Sequence, residues 1–232
     1  MLISESHKFI FVHIQRTGGM SMTKLLQQHV PDLRQIHGRH GHVRDAIPEL
    51  GDSRRQYFIF AMVRNPWDRL VSWHSMIRQE FSRLPWRQRW LSSAPMRHAN
   101  WNQARPYLDD FDGFVRHCTG IVWDEGRRKS FAFNQSDYLL DDTGNIDADY
   151  IGRFEDLEDD SARIFERIGL AGLRLPHENT SRHDHYSRYY NDETREIVGL
   201  RFQRDVERFG YRFELVSLTR PPAATARDTR SY

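Results

Sequence analysis

The chain has 232 residues, of which 38% are hydrophobic, 12% aromatic and 28% charged, with 34 Lys and Arg against 32 Asp and Glu. That balance describes one globular domain with a sizeable core and a polar surface, and excludes a disordered chain. A net charge of +2 is too small for the electrostatic footprint of a nucleic-acid binder, and no apolar run approaches the roughly 20 residues of a bilayer-spanning helix.

The first predicted strand covers Phe9 to His13 and begins near Lys8, which leaves no room for a signal peptide and gives the expectation of a cytoplasmic protein. It runs into "QRTGGMS", where Gly18 and Gly19 make a turn, and the spacing of Met22, Leu25 and Leu26 predicts a helix from about Ser21 to His29, closed by Pro31. A second strand, "YFIFAMV" from Tyr57 to Val63, is apolar throughout, as in a parallel strand covered on both faces. Arg64 ends it, Asn65 is a good N-cap, Pro66 fits a first turn, and Trp67 to about Phe81 carries helical spacing. Residues 82–107 are rich in Trp, Arg, Pro and Ser without a clear period, and read as an insertion over a binding cleft.

Further along, Asp110 to His117 reads as a helix; the chain's single cysteine, Cys118, excludes an intramolecular disulfide and reads as a buried, inert thiol. "FAFNQSDYLLDDTGNID" reads as partly extended with a turn at Asp142 to Gly144, and "DYIGRF" as a short strand. Helices are predicted from Glu155 to Ile168 and, as one long element, from Asp192 to Phe209. Residues 1–218 form the expected domain and 219–232, with Pro-Pro and small polar residues, a disordered tail. The alternation predicts an α/β fold with a central, mainly parallel sheet flanked by helices.

Two strand–turn–helix units thus stand side by side, each with an arginine, Arg16 or Arg64, at the carboxyl end of its strand, where ligands bind in open α/β sheets. A helix N-terminus fed by a glycine turn is an anion site, although an ordinary strand-to-helix loop reads the same way. Ser72, eight residues after Arg64, falls about two helical turns on, where its hydroxyl could share a phosphate with Arg64. His37, His40 and His42 crowd into "IHGRHGHVRDAI". The tract suits a general base, a solvated loop or a metal tract, and no nearby acidic or cysteine pattern completes a metal site.

Together "QRTGGMS" and "FAMVRNPWDRLVSWH" resemble the 5′-phosphosulfate loop and the 3′-phosphate motif of sulfotransferases that use 3′-phosphoadenosine 5′-phosphosulfate (PAPS), in the branch that includes carbohydrate sulfotransferases. "IGRFEDLEDD" and "LPHENTSRHDHYSRYY" resemble further segments, so the likeness runs from Phe9 to about Phe213. The resemblance implies a P-loop-NTPase-like sulfotransferase fold. It implies that the amides of Thr17, Gly18, Gly19, Met20 and Ser21, with the Thr17 and Ser21 hydroxyls, hold the 5′-phosphosulfate, while Arg64 and Ser72 hold the 3′-phosphate. Asn179, Ser181 and Arg182 fall where relatives close over the nucleotide, which makes Arg182 a candidate clamp or part of a structural loop. Gln15 replaces the family's proline, Met20 a threonine, and Arg16 the lysine at the leaving group. An arginine there keeps its charge but is a poor proton donor.

"HGHV" resembles the segment that carries the catalytic histidines of heparan sulfate 2-O-sulfotransferase, which implies His40 as base and His42 as its partner. Asp68 reads as an acidic first-turn residue, Trp67 and Trp73 as core, and Glu155 as a helix start. The expected reaction is in-line sulfuryl transfer from PAPS to a hydroxyl of a glycan or small metabolite, with no metal required. A P-loop-type kinase is disfavoured because G-x-x-x-x-G-K-[ST] is missing. A nucleic-acid-binding protein using Arg78 to Trp101 is disfavoured by the balanced charge.

Overall fold

The computed structural model describes residues 1–87, 96, 98–124, 126–175 and 183–215. Its strands in chain order are β1 (Leu2–Ser4), β2 (Phe9–Val12), β3 (Arg34–Gln35), β4 (Phe58–Val63), β5 (Val122–Asp124), β6 (Arg127–Lys129) and β7 (Tyr150–Arg153). The main sheet has the order β3-β1-β2-β4-β7, while β5 and β6 form a separate antiparallel hairpin. In the centre, β4 runs parallel to β2 and to β7, as expected of the two apolar strands. The edge differs from the expectation: β1 precedes the predicted first strand and pairs antiparallel with β2 and β3. Three residues, "LIS", are too few to show a period, so only pairing with β2 reveals that strand.

Alternation along the strands builds two cores. Phe9 and Phe11 of β2 and Phe60 and Met62 of β4 pack with Met22, Leu25 and Leu26 of α1 (Gly19–His29). Ile10 and Val12, with Ile59, Ala61 and Val63, pack on the opposite face against Val43 and Ala46 of α2 (Val43–Leu50) and against Tyr138 and Leu139. Both faces are covered, which is why β4 reads as a continuous apolar run. Burying each large side chain contributes about 1.5–3 kcal/mol.

A third core surrounds α3 (Pro66–Ser82), where Trp67, Leu70, Trp73 and Ile77 meet Trp101 of α4 (Ala99–Ala104) and Phe114 of α5 (Phe111–His117). Trp67 and Trp73 are therefore core, as their spacing suggested. Beyond α6 (Leu157–Arg167), the predicted long helix is two helices, α7 (Asp192–Arg201) and α8 (Gln203–Phe209). The chain bends at Phe202. That bend seats Phe202 in the third core and brings the buried Asp205 carboxylate under the amides of Gln135 and Ser136, at 2.7 and 2.9 Å. Parts of the 82–107 insertion (88–95 and 97) and the 219–232 tail lie outside the described residues. Among the described residues no helix is long and apolar enough to cross a membrane.

Candidate active site

At the first turn, Arg16 takes a left-handed φ of 68° and Gly18 one of 82°, and α1 starts at Gly19. Gly18 caps the helix without a side-chain hydrogen bond, and no acidic residue stands in the first turn. The amides and positive end of the helix dipole are thus uncompensated by side chains, the arrangement that receives an anion. Gly19 has no room for a side chain, since a Cβ would fall 2.2 Å from His13 Cδ2. The Thr17 hydroxyl donates inward to the Ile14 carbonyl at 2.9 Å, so it braces the turn, and Ser21 is buried while Met20 is exposed. Below the turn, the buried Arg69 donates to the carbonyls of Gln15 and Phe133, each at 3.0 Å, and anchors the loop to α3.

The second turn is built from side chains. Asn65 accepts from Trp67 N at 3.1 Å and caps α3. Arg64 N donates to Gln135 Oε1 at 2.8 Å, and Gln135 Nε2 donates back to Arg64 O at 2.7 Å, as a neighbouring strand would. Glu155 precedes α6; its carboxylate accepts from Asn65 N at 2.7 Å and from the Tyr211 hydroxyl at 3.1 Å, which locks the turn.

Both arginines converge as expected, with partners the sequence did not show. Arg64 Nε donates to Asp68 Oδ2 at 2.7 Å, its Nη1 to Arg16 O at 3.4 Å, and its guanidinium lies 4.0 Å from the Phe154 ring centre. Asp68 is thus an ion-pair partner as well as a first-turn acid. Ser72 Oγ accepts from Arg16, not Arg64, at 3.0 Å from Nε and 2.6 Å from Nη2. Burial, followed by the Arg64 charge, lowers the Arg16 pKa to about 10. Two guanidiniums repel each other here, and a shared anion relieves that repulsion. Arg182, like Asn179 and Ser181, lies outside the described residues, but its neighbour His183 places Nε2 3.8 Å from Asp68 Oδ1.

The glycine turn, Arg16, Arg64 and Ser72 border a cleft of about 1900 Å³, whose other walls carry His40 and His42. The three histidines of the tract have separate partners. His37 Nε2 is 3.1 Å from Glu49 Oε2. His42 donates its amide to Asp45 at 3.1 Å at the start of α2 and sets its ring 4.6 Å from that of Tyr138. His40 Nδ1 is 2.9 Å from the His13 carbonyl, an acceptor that puts the proton on Nδ1 and leaves a lone pair on Nε2. Burial, aided by Arg39 and Lys129 and opposed by that carbonyl, lowers the His40 pKa to about 4. Burial also lowers that of His42.

Two features of the cleft escaped the sequence. His13, in "FVHIQ", was visible only as a histidine interrupting an apolar strand. On the insertion side, Asp124 Oδ2 takes Lys129 Nζ at 2.8 Å and His98 Nδ1 at 3.2 Å, with His98 and Lys129 on the cleft wall. His13, His98 and the β5–β6 hairpin that carries Asp124 and Lys129 come from separate segments without a shared local pattern.

Among known proteins, carbohydrate sulfotransferase 11 of Mus musculus is 24% identical to the chain over 199 residues, covering 76% of this chain and 55% of that protein. Carbohydrate sulfotransferase 11 of Rattus norvegicus matches with the same identity and coverage. The chain therefore spans about half the length of the curated relatives it matches. No solved structure matches it significantly. The model of the Sulfotransferase family matches residues 1–212, which takes in both turns, the histidine tract and the cleft walls, and the chain belongs to the sulfotransferase family.

Proposed function

We propose that the protein is a PAPS-dependent sulfotransferase with a P-loop-like fold, acting on a hydroxyl of a carbohydrate or glycoconjugate. The observation that carries this reading is that Arg16 and Arg64 line one cleft with a helix N-terminus left without a side-chain cap. The cosubstrate supplies an activated sulfuryl group, which the acceptor oxygen takes as the bond to 3′,5′-ADP (PAP) breaks. The amides from Thr17 to Ser21 hold the 5′ end, and Arg64 holds the 3′-phosphate. Arg16, charged at neutral pH, stabilises negative charge on the bridging oxygen. Ser72, within reach of Arg16, keeps that guanidinium against the second turn of α3 until the anion arrives. His40 takes the acceptor proton on Nε2, and His42 lies beside it on the cleft wall.

His40→Ala tests the catalytic half of this reading. PAP affinity should stay nearly intact while kcat falls about 10²–10⁴-fold. Because the free-enzyme His40 pKa is about 4, its limb in kcat/KM rises with pH through that value and is level at neutral pH. Full activity of a folded His40→Ala protein, on an acceptor found by screening sugars with labelled PAPS, would exclude His40 as base. Absence of PAP binding to the wild type would exclude the donor assignment.

A further inference from the structure

His13 follows β2, and its side chain has no part in the reaction as written above. It is 3% exposed and lines the cleft. Its ring stacks on Phe11 with centroids 5.6 Å apart, and meets the His40 ring edge-on at 4.8 Å. Above it lies Gly19, so close that a Cβ there would be 2.3 Å from His13 Nε2. The Nε2 edge of the ring is therefore the edge next to the first residue of α1.

His13 Nδ1 lies 3.4 Å from Thr23 Oγ1, a hydroxyl that can donate or accept; in the tautomer in which it donates to Nδ1, the His13 proton is on Nε2. Burial, with the charges of His40 and Arg39, holds the imidazole well below its ordinary pKa, so it is neutral at neutral pH. No described residue hydrogen-bonds Nε2. With the proton on Nε2, the floor of the glycine turn contains a buried, uncharged N–H donor.

We propose that His13 is a direct ligand of the anion on the glycine turn, its Nε2–H donating to an oxygen of a phosphate or phosphosulfate group alongside the α1 amides. This rests on the reading of that turn as the donor site. A neutral donor adds a hydrogen bond without a third positive charge beside Arg16 and Arg64, which already repel each other. The same residue touches the anion through its ring and sets the His40 tautomer through its carbonyl, 2.9 Å from Nδ1. It also gives Gly19 a purpose beyond backbone freedom: a side chain there would push the helix off its imidazole floor.

The test uses the full chain, with histidines labelled with ¹⁵N, and PAP as the probe. On saturation, the His13 Nε2 proton should move downfield and become protected from exchange. His13→Phe, which keeps a ring and loses the donor, should weaken PAP binding about tenfold by calorimetry. His13→Gln, which returns an N–H near the same place, should recover most of that loss, and the ligand-free Tm of both variants separates folding from binding. If PAP binds and perturbs Arg64 while the His13 Nε2 signal stays still, His13 is packing only and the proposal fails. If the wild type does not bind PAP, the donor reading and this proposal fall together. If His13→Phe does not fold, the wild-type titration alone decides.

Discussion

The β2–α1 and β4–α3 units share an order of strand, arginine, turn and helix, yet their helix starts are finished in opposite ways. At α1 the cap is Gly18, which makes no side-chain hydrogen bond, and the first turn carries no acid. At α3 the cap is Asn65, a proline follows, and Asp68 stands in the first turn and pairs with Arg64. The first unit therefore presents amides without a side-chain cap, and the second has capped its own helix end and presents a side chain. An anion at the first turn meets no internal carboxylate rival, whereas one at Arg64 must compete with Asp68. On the proposed reading, one site would hold its ligand through the backbone, and the other through a guanidinium that the protein already holds in place.

This contrast makes its strongest demand at Gly19. Gly19→Ala should abolish measurable PAP binding, a loss of about 100-fold or more, because its Cβ would strike the His13 ring and displace the amides. Calorimetry checks it, and near-wild-type affinity would mean that the turn is not the anion site. Arg64→Ala should weaken PAP by about 1.5–3 kcal/mol, the scale of hydrogen bonds to a charged group, and ATP should be a poor substitute for PAP in the wild type. Equal stabilisation by ATP and PAP in thermal melts would remove the 3′-phosphate from this site.

Asn65→Ala should act on stability instead. Losing the cap and the hydrogen bond to the Arg212 carbonyl, 3.0 Å away, lowers unfolding free energy by about 1–2 kcal/mol, read by denaturant titration. The same change at Gly18 has no side-chain cap to remove and is strained for another reason, its φ of 82°. Smallest, and opposite in sign, is Asp68→Asn. Weakening the internal rival of the phosphate should tighten PAP about two- to fivefold, a small change because Asn still accepts a hydrogen bond from Arg64 and leaves the largely buried guanidinium a partner. A weaker PAP complex would instead make Asp68 an essential orienter of Arg64.

The parts of this site that were legible before the structure are those written in short stretches. The apolar run of β4, Asn65 and Pro66 at the head of α3, and two glycines ahead of Met22 and Leu25 each carry their instruction within a few residues, because capping, turn geometry and helical period are local. Those features were enough to set both arginines just beyond strand ends and the glycine turn at the start of α1. The family's own motifs added the histidine tract, although not the tautomer of His40.

Pairings across the fold were not legible. Ser72 lies 56 positions from Arg16, and nothing near it says that Arg16, not Arg64, will be its partner. Gln135 pairs with the backbone of Arg64, just past the end of β4, from 71 residues away, and His98 finds Asp124 across 26. The bend at Phe202 interrupts a stretch with continuous helical spacing, because core packing and the buried Asp205 outweigh the small local gain of unbroken helix. His13 shows the same division within one residue. Its place at the end of an apolar strand is a matter of local pattern, whereas its ring comes under Gly19 and beside His40 only when α1 and the histidine loop fold back over the sheet, since burial and side-chain contact are set by which segments share a face and not by neighbours in the chain.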